Sequence, residues 1–293
     1  GYFTLRPWDR VLDDLYVQAL AVGDAAGVKA VLVQMDLVSA GIEVVSAVRE
    51  RCADIPGLEG QHLVFTASHT HTAPEIRPHR QGGNPAYTAE VVAQTVDAVH
   101  AAVADLAPAT AAAGLARDDR FAFNRRYWMR DGSVVTNPPR RHPGILRPEG
   151  ATDPEIPLLR LRRGDRPDVL LASICNHADT ISGTGVSADW HGFVRRRLES
   201  ADPRLRVMTL TGCAGNLNHF DPAGPDEQSG YAVAERIGTG YAESIAAVLG
   251  RLSPLRSGRV GAMAATLTVG PREISPEELA EAIRRPVLFM PDF

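Results

Sequence analysis

The stretch HLVFTASHTHTAP, residues 62–74, decides the fold, because an apolar run in it passes directly into polar residues. This pattern predicts a buried strand that runs into a polar loop at Pro74. Residues two apart in a strand project to the same side, so His69 and His71 are expected to point together. At the carboxyl end of a buried strand, the pair would lie where α/β folds bind their ligands.

The H-x-H pattern has two interpretations that the spacing alone does not separate. Neutral imidazole is a good zinc ligand, and two rings on one face can share a metal or divide the work of ligand and acid–base catalyst. In the alternative, both rings are capping groups that bond to loop carbonyls.

Outward from this strand, short apolar runs alternate with helical stretches, which predicts an α/β fold. The clearest helix covers residues 87–106, where valines from Val91 to Val103 form a stripe at helical spacing before Pro108. The other predicted elements are strands over 15–22 and 29–37, a helix over 42–52, strands within 110–136, a surface loop over 137–153, a hairpin of 156–163 and 168–180, a helix over 189–200, a strand over 206–212, a helix over 231–252, a strand over 259–269 and a last helix from Ser275.

Composition limits the class of protein and of partner. The 293 residues are 44% hydrophobic and 23% charged, with a net charge of -4 and no polybasic run, so we expect no nucleic-acid partner. No apolar stretch approaches the roughly 20 residues of a membrane span. Without a repeat or a linker, the chain is predicted to be a single mixed α/β domain over residues 1–293, with a sheet flanked by helices.

The cellular location is predicted from the cysteines and the start of the chain. Three widely spaced cysteines argue against a disulfide framework and favour a reducing compartment. No secretory signal precedes the first strand, so a cytoplasmic location is expected. Because the chain opens at Gly1 and not at Met, a secreted protein with an upstream signal is the alternative.

Two further clusters follow apolar runs along the chain. His177 lies in CNHADT at a strand end, where it either bonds locally or joins His69 as a metal ligand. In SADWHGF, Asp189 stands where a helix begins, so its carboxylate caps backbone N–H groups or orients a ligand histidine. The three arginines at 195–197 are expected to be solvated.

The last two clusters could bind an anion or a carbonyl group. In TGCAGNLNHFD, Gly215 lets backbone approach a ligand, and Asn218 is a candidate pocket residue. Cys213 is read as a packed small side chain or, less simply, as a nucleophile. In FAFNRRYW, Arg125 and Arg126 should point oppositely, and the inward one either binds a carbonyl or pairs with an acid.

Taken in order, the five clusters resemble the catalytic domain of the neutral ceramidase family. That family has a THTHSGP-like strand end, an Asn-Arg pair, a second His near Thr or Ser, an S-A-D-x-x-G helix start and a G-x-x-G-D-x-x-P turn. The matching positions are 69–74, Asn124 with Arg125, His177, 187–192 and 212–219. Order and spacing agree over about residues 10–285.

The resemblance implies a zinc-dependent hydrolase of the amide bond in an N-acyl, lipid-like substrate. By this resemblance, His69 and His177 are zinc ligands, whereas His71 and Arg125 are catalytic groups at the substrate carbonyl. The resemblance also assigns Asn124, Gly215 and Asn218 to substrate binding.

The sequence also departs from the family pattern, which marks it as a distant, bacterial-type relative. Asn218 stands where ceramidases have a serine, and Asn216 stands for the family's Asp. The family's other zinc ligands, a Glu and a Tyr, have no matching motif before Phe293, so the zinc site is incomplete in this chain or the chain continues. The alternative function is therefore a non-catalytic relative that binds a ligand or partner.

Overall fold

The computed structural model describes residues 6–77, 83–224, 227–256, 258–271 and 273–284. The strands are β1 (Arg10–Val11), β2 (Val17–Gly23), β3 (Lys29–Met35), β4 (Leu63–Ala67), β5 (Thr110–Arg117), β6 (Phe123–Asn124), β7 (Arg126–Met129), β8 (Val134–Thr136), β9 (Ile145–Pro148), β10 (Glu155–Arg162), β11 (Asp168–Ile174), β12 (Gly185–Val186), β13 (Leu205–Thr211), β14 (Leu217–Asn218) and β15 (Ser253–Pro254). The helices are α1 (Ile42–Arg51), α2 (Pro85–Ala104), α3 (Asp189–Ala201), α4 (Tyr231–Ala246) and α5 (Pro276–Arg284), with short 3-10 turns at Gly60–His62 and Leu249–Arg251. Sheets and helices together make the mixed α/β fold that the sequence predicts.

The first main sheet has the order β2-β3-β4, with β2 antiparallel and β4 parallel to β3. Its central strand KAVLVQM is almost wholly apolar because Val31, Val33 and Met35 are buried against α1 and α2. Helix α2 begins at Pro85, where the Asn84 side chain accepts the first free backbone N–H groups. These elements form one hydrophobic core.

The second main sheet has the order β13-β11-β10-β5-β15 and carries α3 and α4. The predicted hairpin is confirmed, since β10 and β11 pair antiparallel, and β13 then adds parallel to β11. A second core fills this half, built on fully buried Leu170, Trp190 and Ile245. The three remaining sheets are small: β1-β12, β6-β14 and β8-β7-β9.

The two main sheets adjoin along β4 and β13. The Gln18 side chain donates to the Val207 carbonyl at 2.8 Å, and the Thr211 hydroxyl donates to the Ser68 carbonyl at 2.9 Å. The second bond holds the carboxyl ends of β4 and β13 next to each other. Because β11 is parallel to β13, the loops after three strands open at the same edge of the fold.

Several sequence predictions of structure are corrected. The loop predicted over 137–153 contains β9, which pairs with β7. Residues 258–271 form no strand, because none of the described strands pairs with this segment, and Met263 and Leu267 there are 93% and 83% exposed. The long helix ends at Ala246, six residues before the predicted end at Leu252. Among the described residues, no helix combines the length and apolarity needed to cross a membrane.

The final helix is confirmed with its start signal. The Ser275 hydroxyl accepts the Glu278 N–H at 3.1 Å, and the Glu278 carboxylate accepts the Ser275 N–H at 3.0 Å. This reciprocal pair is a capping box, which satisfies two backbone donors at the helix start.

Candidate metal centre

Three imidazoles meet at the edge where the strand ends converge. His69 and His71 follow β4, and His177 follows β11. Their ring centroids are 4.5 to 5.2 Å apart, and one potential ligand atom from each ring lies within 4.8 Å of the other two. The structure therefore brings together the pair predicted from one strand and the single histidine predicted from another.

His69 reaches this position by a route that the strand argument did not foresee. Strand β4 ends at Ala67, and His69 has a φ of +63°, so the two-residue periodicity of a strand does not apply. A left-handed backbone costs a non-glycine residue about 1–2 kcal/mol. It is held by two bonds to the loop after β3: the His69 N–H donates to Leu37, and Nδ1 lies 2.6 Å from the Val38 carbonyl oxygen.

The His177 ring is held in the same manner from the loop after β13. Its Nδ1 lies 3.0 Å from the Ala214 carbonyl oxygen, and its own carbonyl accepts the indole N–H of Trp190 at 3.0 Å. Asp189 fixes the rest of this loop, because its fully buried carboxylate accepts the N–H groups of both Trp190 and Ile181. Asp189 thus caps its own helix start, as one of the two predicted roles has it, and also ties residue 181 of the loop after His177 to that helix. Its orientation of a ligand histidine stays a prediction.

These contacts determine the tautomer of two of the rings. A carbonyl oxygen can only accept, so Nδ1 of His69 and of His177 must carry the proton. In a neutral imidazole the lone pair is then on Nε2, which is the arrangement of most metal-bound histidines. The capping interpretation and the ligand interpretation are therefore compatible, since capping a carbonyl prepares the other nitrogen for a metal.

The electrostatics of the centre lower the pKa of two of its rings. Burial lowers the pKa of His71 to about 3, the other two histidines contribute, and Asp179 opposes the shift. Burial likewise lowers the pKa of His177. Burial acts to raise the pKa of Asp179, but the neighbouring His219 and the other imidazoles outweigh it and lower that pKa. A buried carboxylate next to neutral imidazoles is suited to a site that receives a cation.

The remaining predicted site residues lie on or next to β6 and β14, with their polar groups engaged within the protein. Arg125 Nε and Nη2 both donate to the Gly215 carbonyl, at 3.1 and 2.7 Å, while Arg126 pairs with Glu149 on another side. The amides of Asn124 and Asn218 bond within the protein. The Asn124 amide bonds to Gly150 and Arg126, and the Asn218 amide bonds to Asn137 and Phe220. Gly215 is exposed, with open space where a side chain would stand.

Two predictions about neighbouring side chains are wrong. Cys213 is exposed and not packed in the turn. Arg195 is buried and not solvated, because it forms an ion pair with buried Asp36, while Arg197 on the same helix is exposed. A run of three arginines carries no signal for which one turns inward. Only the fold places an acid opposite Arg195.

Sequence reasoning also missed a fourth histidine close to the centre. His191 is fully buried and stacks on Trp190 with ring centroids 3.7 Å apart. Its Nδ1 contacts the Thr209 hydroxyl, and its Nε2 contacts the Thr211 hydroxyl, which in turn donates to Ser68 beside His69. Burial lowers the pKa of His191 well below its ordinary value. The alternation of Thr209 and Thr211 in a buried strand was the available signal.

Comparison with known structures identifies the architecture. A solved structure described as a ceramidase complexed with C2 superposes with a TM-score of 0.71 at 18% identity, over 86% of this chain. A crystal structure of neutral ceramidase from Pseudomonas aeruginosa gives a TM-score of 0.67 at 18% identity, over 83% of this chain. This chain has the neutral ceramidase fold.

The resemblance drawn from the five sequence motifs is thus confirmed at the level of the fold. The chain spans 41% and 40% of the length of the two ceramidases, about two fifths in each case. No protein-family model matches the sequence, and no curated protein shows significant sequence similarity to it. At 18% identity, the likeness to the ceramidases is a likeness of fold.

Proposed function

We propose that this protein is a zinc-dependent hydrolase that cleaves the amide C–N bond of a lipid-like N-acyl substrate. The observation that carries the proposal is the convergence of three imidazoles. Two of them, His69 and His177, are held by backbone carbonyls through Nδ1, so that Nε2 presents its lone pair to a metal. Imidazole nitrogen suits zinc, which in such a site supplies a Lewis acid that activates water and polarises a carbonyl. The similarity to the ceramidase fold supports an amide as the bond that is cleaved.

In this proposal, His69 and His177 hold the metal and His71 faces the substrate. The division rests on the cavity beside the centre, about 560 Å³ in volume, whose described lining includes His71 and neither of the other two rings. With a pKa of about 3, the His71 ring is neutral at physiological pH and can donate one N–H to a carbonyl oxygen. In the alternative arrangement, His71 is the third ligand of a zinc site built from three histidines.

The neighbouring polar groups would act at the substrate carbonyl. Arg125 is fixed by its two bonds to Gly215, and its remaining N–H groups carry positive charge for an oxygen that becomes negative. Asn124 and Asn218 would position the loops around Arg125 through their hydrogen bonds to Gly150, Arg126, Asn137 and Phe220. The open space at Gly215 admits the substrate.

The test is hydrolysis of N-acylsphingosine and N-acylethanolamines, measured as the release of fatty acid. We expect turnover that a chelator abolishes and zinc restores. His71→Ala separates the two roles of that ring, because a substrate-facing role predicts lost turnover with zinc retained, whereas a ligand role predicts loss of both. His100→Ala, which removes an exposed histidine on α2, is the matched control and should keep both.

A non-catalytic relative is the second candidate, and one observation favours it. Where ceramidases have a serine, Asn218 offers no hydroxyl, and its amide is occupied by Asn137 and the Phe220 N–H. This candidate predicts a folded protein with no turnover of any N-acyl compound. A thiol hydrolase is tested separately by Cys213→Ala, which we expect to keep full activity because, in the described part of the chain, no base is hydrogen-bonded to this exposed thiol.

A further inference from the structure

The cavity beside His71 carries information about the substrate that the metal centre does not. We call it the His71 cavity. It lies between the segment before β2, the first half of α2 and residues 183–186. Its volume of about 560 Å³ falls in the range of small-molecule sites, which is roughly 300–1,000 Å³. Apolar residues, including Leu15, Leu37 and Val91, line it together with polar groups, so it can hold an amphiphile.

The charged groups of the described lining are mostly acidic: five carboxylates and one guanidinium, Arg6. Three of these acids, Asp13, Asp36 and Glu75, pair with arginines that are not part of the described lining. Each such pair is a dipole whose negative end faces the cavity. Even where they are paired, the acids of the described lining therefore contribute a negative potential to the cavity.

The other two acids, Asp14 and Glu90, add full charges at the rim. Both are exposed, and among the described residues neither has a cationic partner; Glu90 accepts only the amide of Gln94. Aromatic rings line the same cavity: Trp8 is 63% exposed, and Tyr16 is 55% exposed, with the Arg195 guanidinium 5.7 Å from its ring centroid. Carboxylates combined with exposed aromatic rings favour an organic cation through charge attraction and cation–π contact.

We infer that the His71 cavity binds the amine portion of the substrate and selects N-acyl amines that carry a positive charge there over those that carry a carboxylate. The hydrolytic part of this inference rests on the proposed function. His71 provides the connection, since it lines the cavity and also stands in the imidazole trio. A charged group in the cavity thus belongs to a substrate whose amide reaches the centre.

The test uses three probes with the same acyl chain: N-octanoyl-ethylenediamine (cationic), N-octanoyl-ethanolamine (neutral) and N-octanoyl-glycine (anionic). Binding is measured by isothermal titration calorimetry at low salt, and hydrolysis by kcat/KM. A unit charge at about 6 Å in water changes affinity about threefold. With two rim acids opposed by Arg6, we expect the cationic probe to bind about tenfold more tightly than the anionic one, and 0.5 M salt to reduce the ratio.

Asp14→Asn combined with Glu90→Gln leaves Arg6 unopposed, so it should abolish the preference for the cationic probe and bring the ratio to about one or below. The matched control is Asp54→Asn combined with Asp165→Asn, which removes the same charge from two exposed acids outside the cavity lining and should leave the ratio unchanged. Equal binding of the three probes, no binding of any, or a ratio that the rim variant does not change would overturn the inference. Hydrolysis of all three without preference would leave the proposed function standing, whereas charge-selective binding without hydrolysis would leave only the inference standing.

Discussion

Replacing Arg195 by Met should destabilise the protein strongly, because it leaves a carboxylate buried without its counter-charge. Arg195 donates to Asp36 from Nη1 at 3.1 Å and from Nη2 at 2.5 Å, and the two side chains are only 7% and 0% exposed. Breaking a buried pair from one side typically costs 3–5 kcal/mol. Asp36 also accepts the Tyr16 N–H at 3.0 Å and the Gln34 amide at 3.3 Å, so we expect the lower end of that range.

Urea unfolding followed by circular dichroism measures this cost. A loss of about 3 kcal/mol corresponds to a midpoint shift of about 1 M for a slope near 3 kcal/mol per M. The double variant Asp36→Asn with Arg195→Met removes the orphaned charge and should recover part of the loss. Arg197→Met, the same change at an exposed position of α3, should stay within about 0.5 kcal/mol of the parent.

The same variant should also weaken zinc binding. Asp36 begins the loop whose Leu37 and Val38 carbonyls hold His69, and loss of such support typically costs 10- to 100-fold in metal affinity. Competition with a chelator measures that affinity. The reasoning is refuted if Arg195→Met costs less than about 1 kcal/mol, or if the double variant is less stable than the single one.

Two further predictions test the packing and the buried histidines. Gly238→Ala should lower the free energy of unfolding by about 1–3 kcal/mol, since a Cβ there would lie 2.6 Å from a backbone carbonyl oxygen of α3. Gly250→Ala is the control, because a Cβ at that position meets open space and should change stability little. Thermal melts that show equal losses for the two variants would contradict this. Stability should fall as pH drops below about 6.5, because the unfolded chain then binds protons that His71, His177 and His191 in the fold do not, their pKa values being lowered by burial. The loss between pH 7 and 5.5 should be about 3–4 kcal/mol for the three histidines, of which Asp189 offsets about 1 kcal/mol because burial raises its pKa to about 6. Urea midpoints that rise over this interval would contradict the assignment.

The elements with strong local signals were predicted from the sequence. The helix α2 has a capped start and a valine stripe, and β3 is apolar throughout, so local residues suffice to specify both. The strand predicted over 259–269 failed because strand formation depends on a partner edge, which an alternating pattern does not contain. The prediction that residues 1–293 form a single domain stays a prediction.

The candidate site was predicted by residue type more than by geometry. His69, His71 and His177 were expected at strand ends, and they converge. Their convergence arises from the left-handed turn at His69 and from the carbonyls that hold the rings, and neither is written in the spacing. Arg195 was missed for the same reason, since its partner lies 159 positions away in the chain.

Zinc stoichiometry tests the central claim most directly. The protein is stripped with a chelator, titrated with zinc, desalted and measured by inductively coupled plasma mass spectrometry. The account predicts about one zinc per chain, lost in His69→Ala and in His177→Ala and retained in His100→Ala. A stripped protein that takes up no zinc, or one whose zinc content is unchanged in both ligand variants, would contradict it.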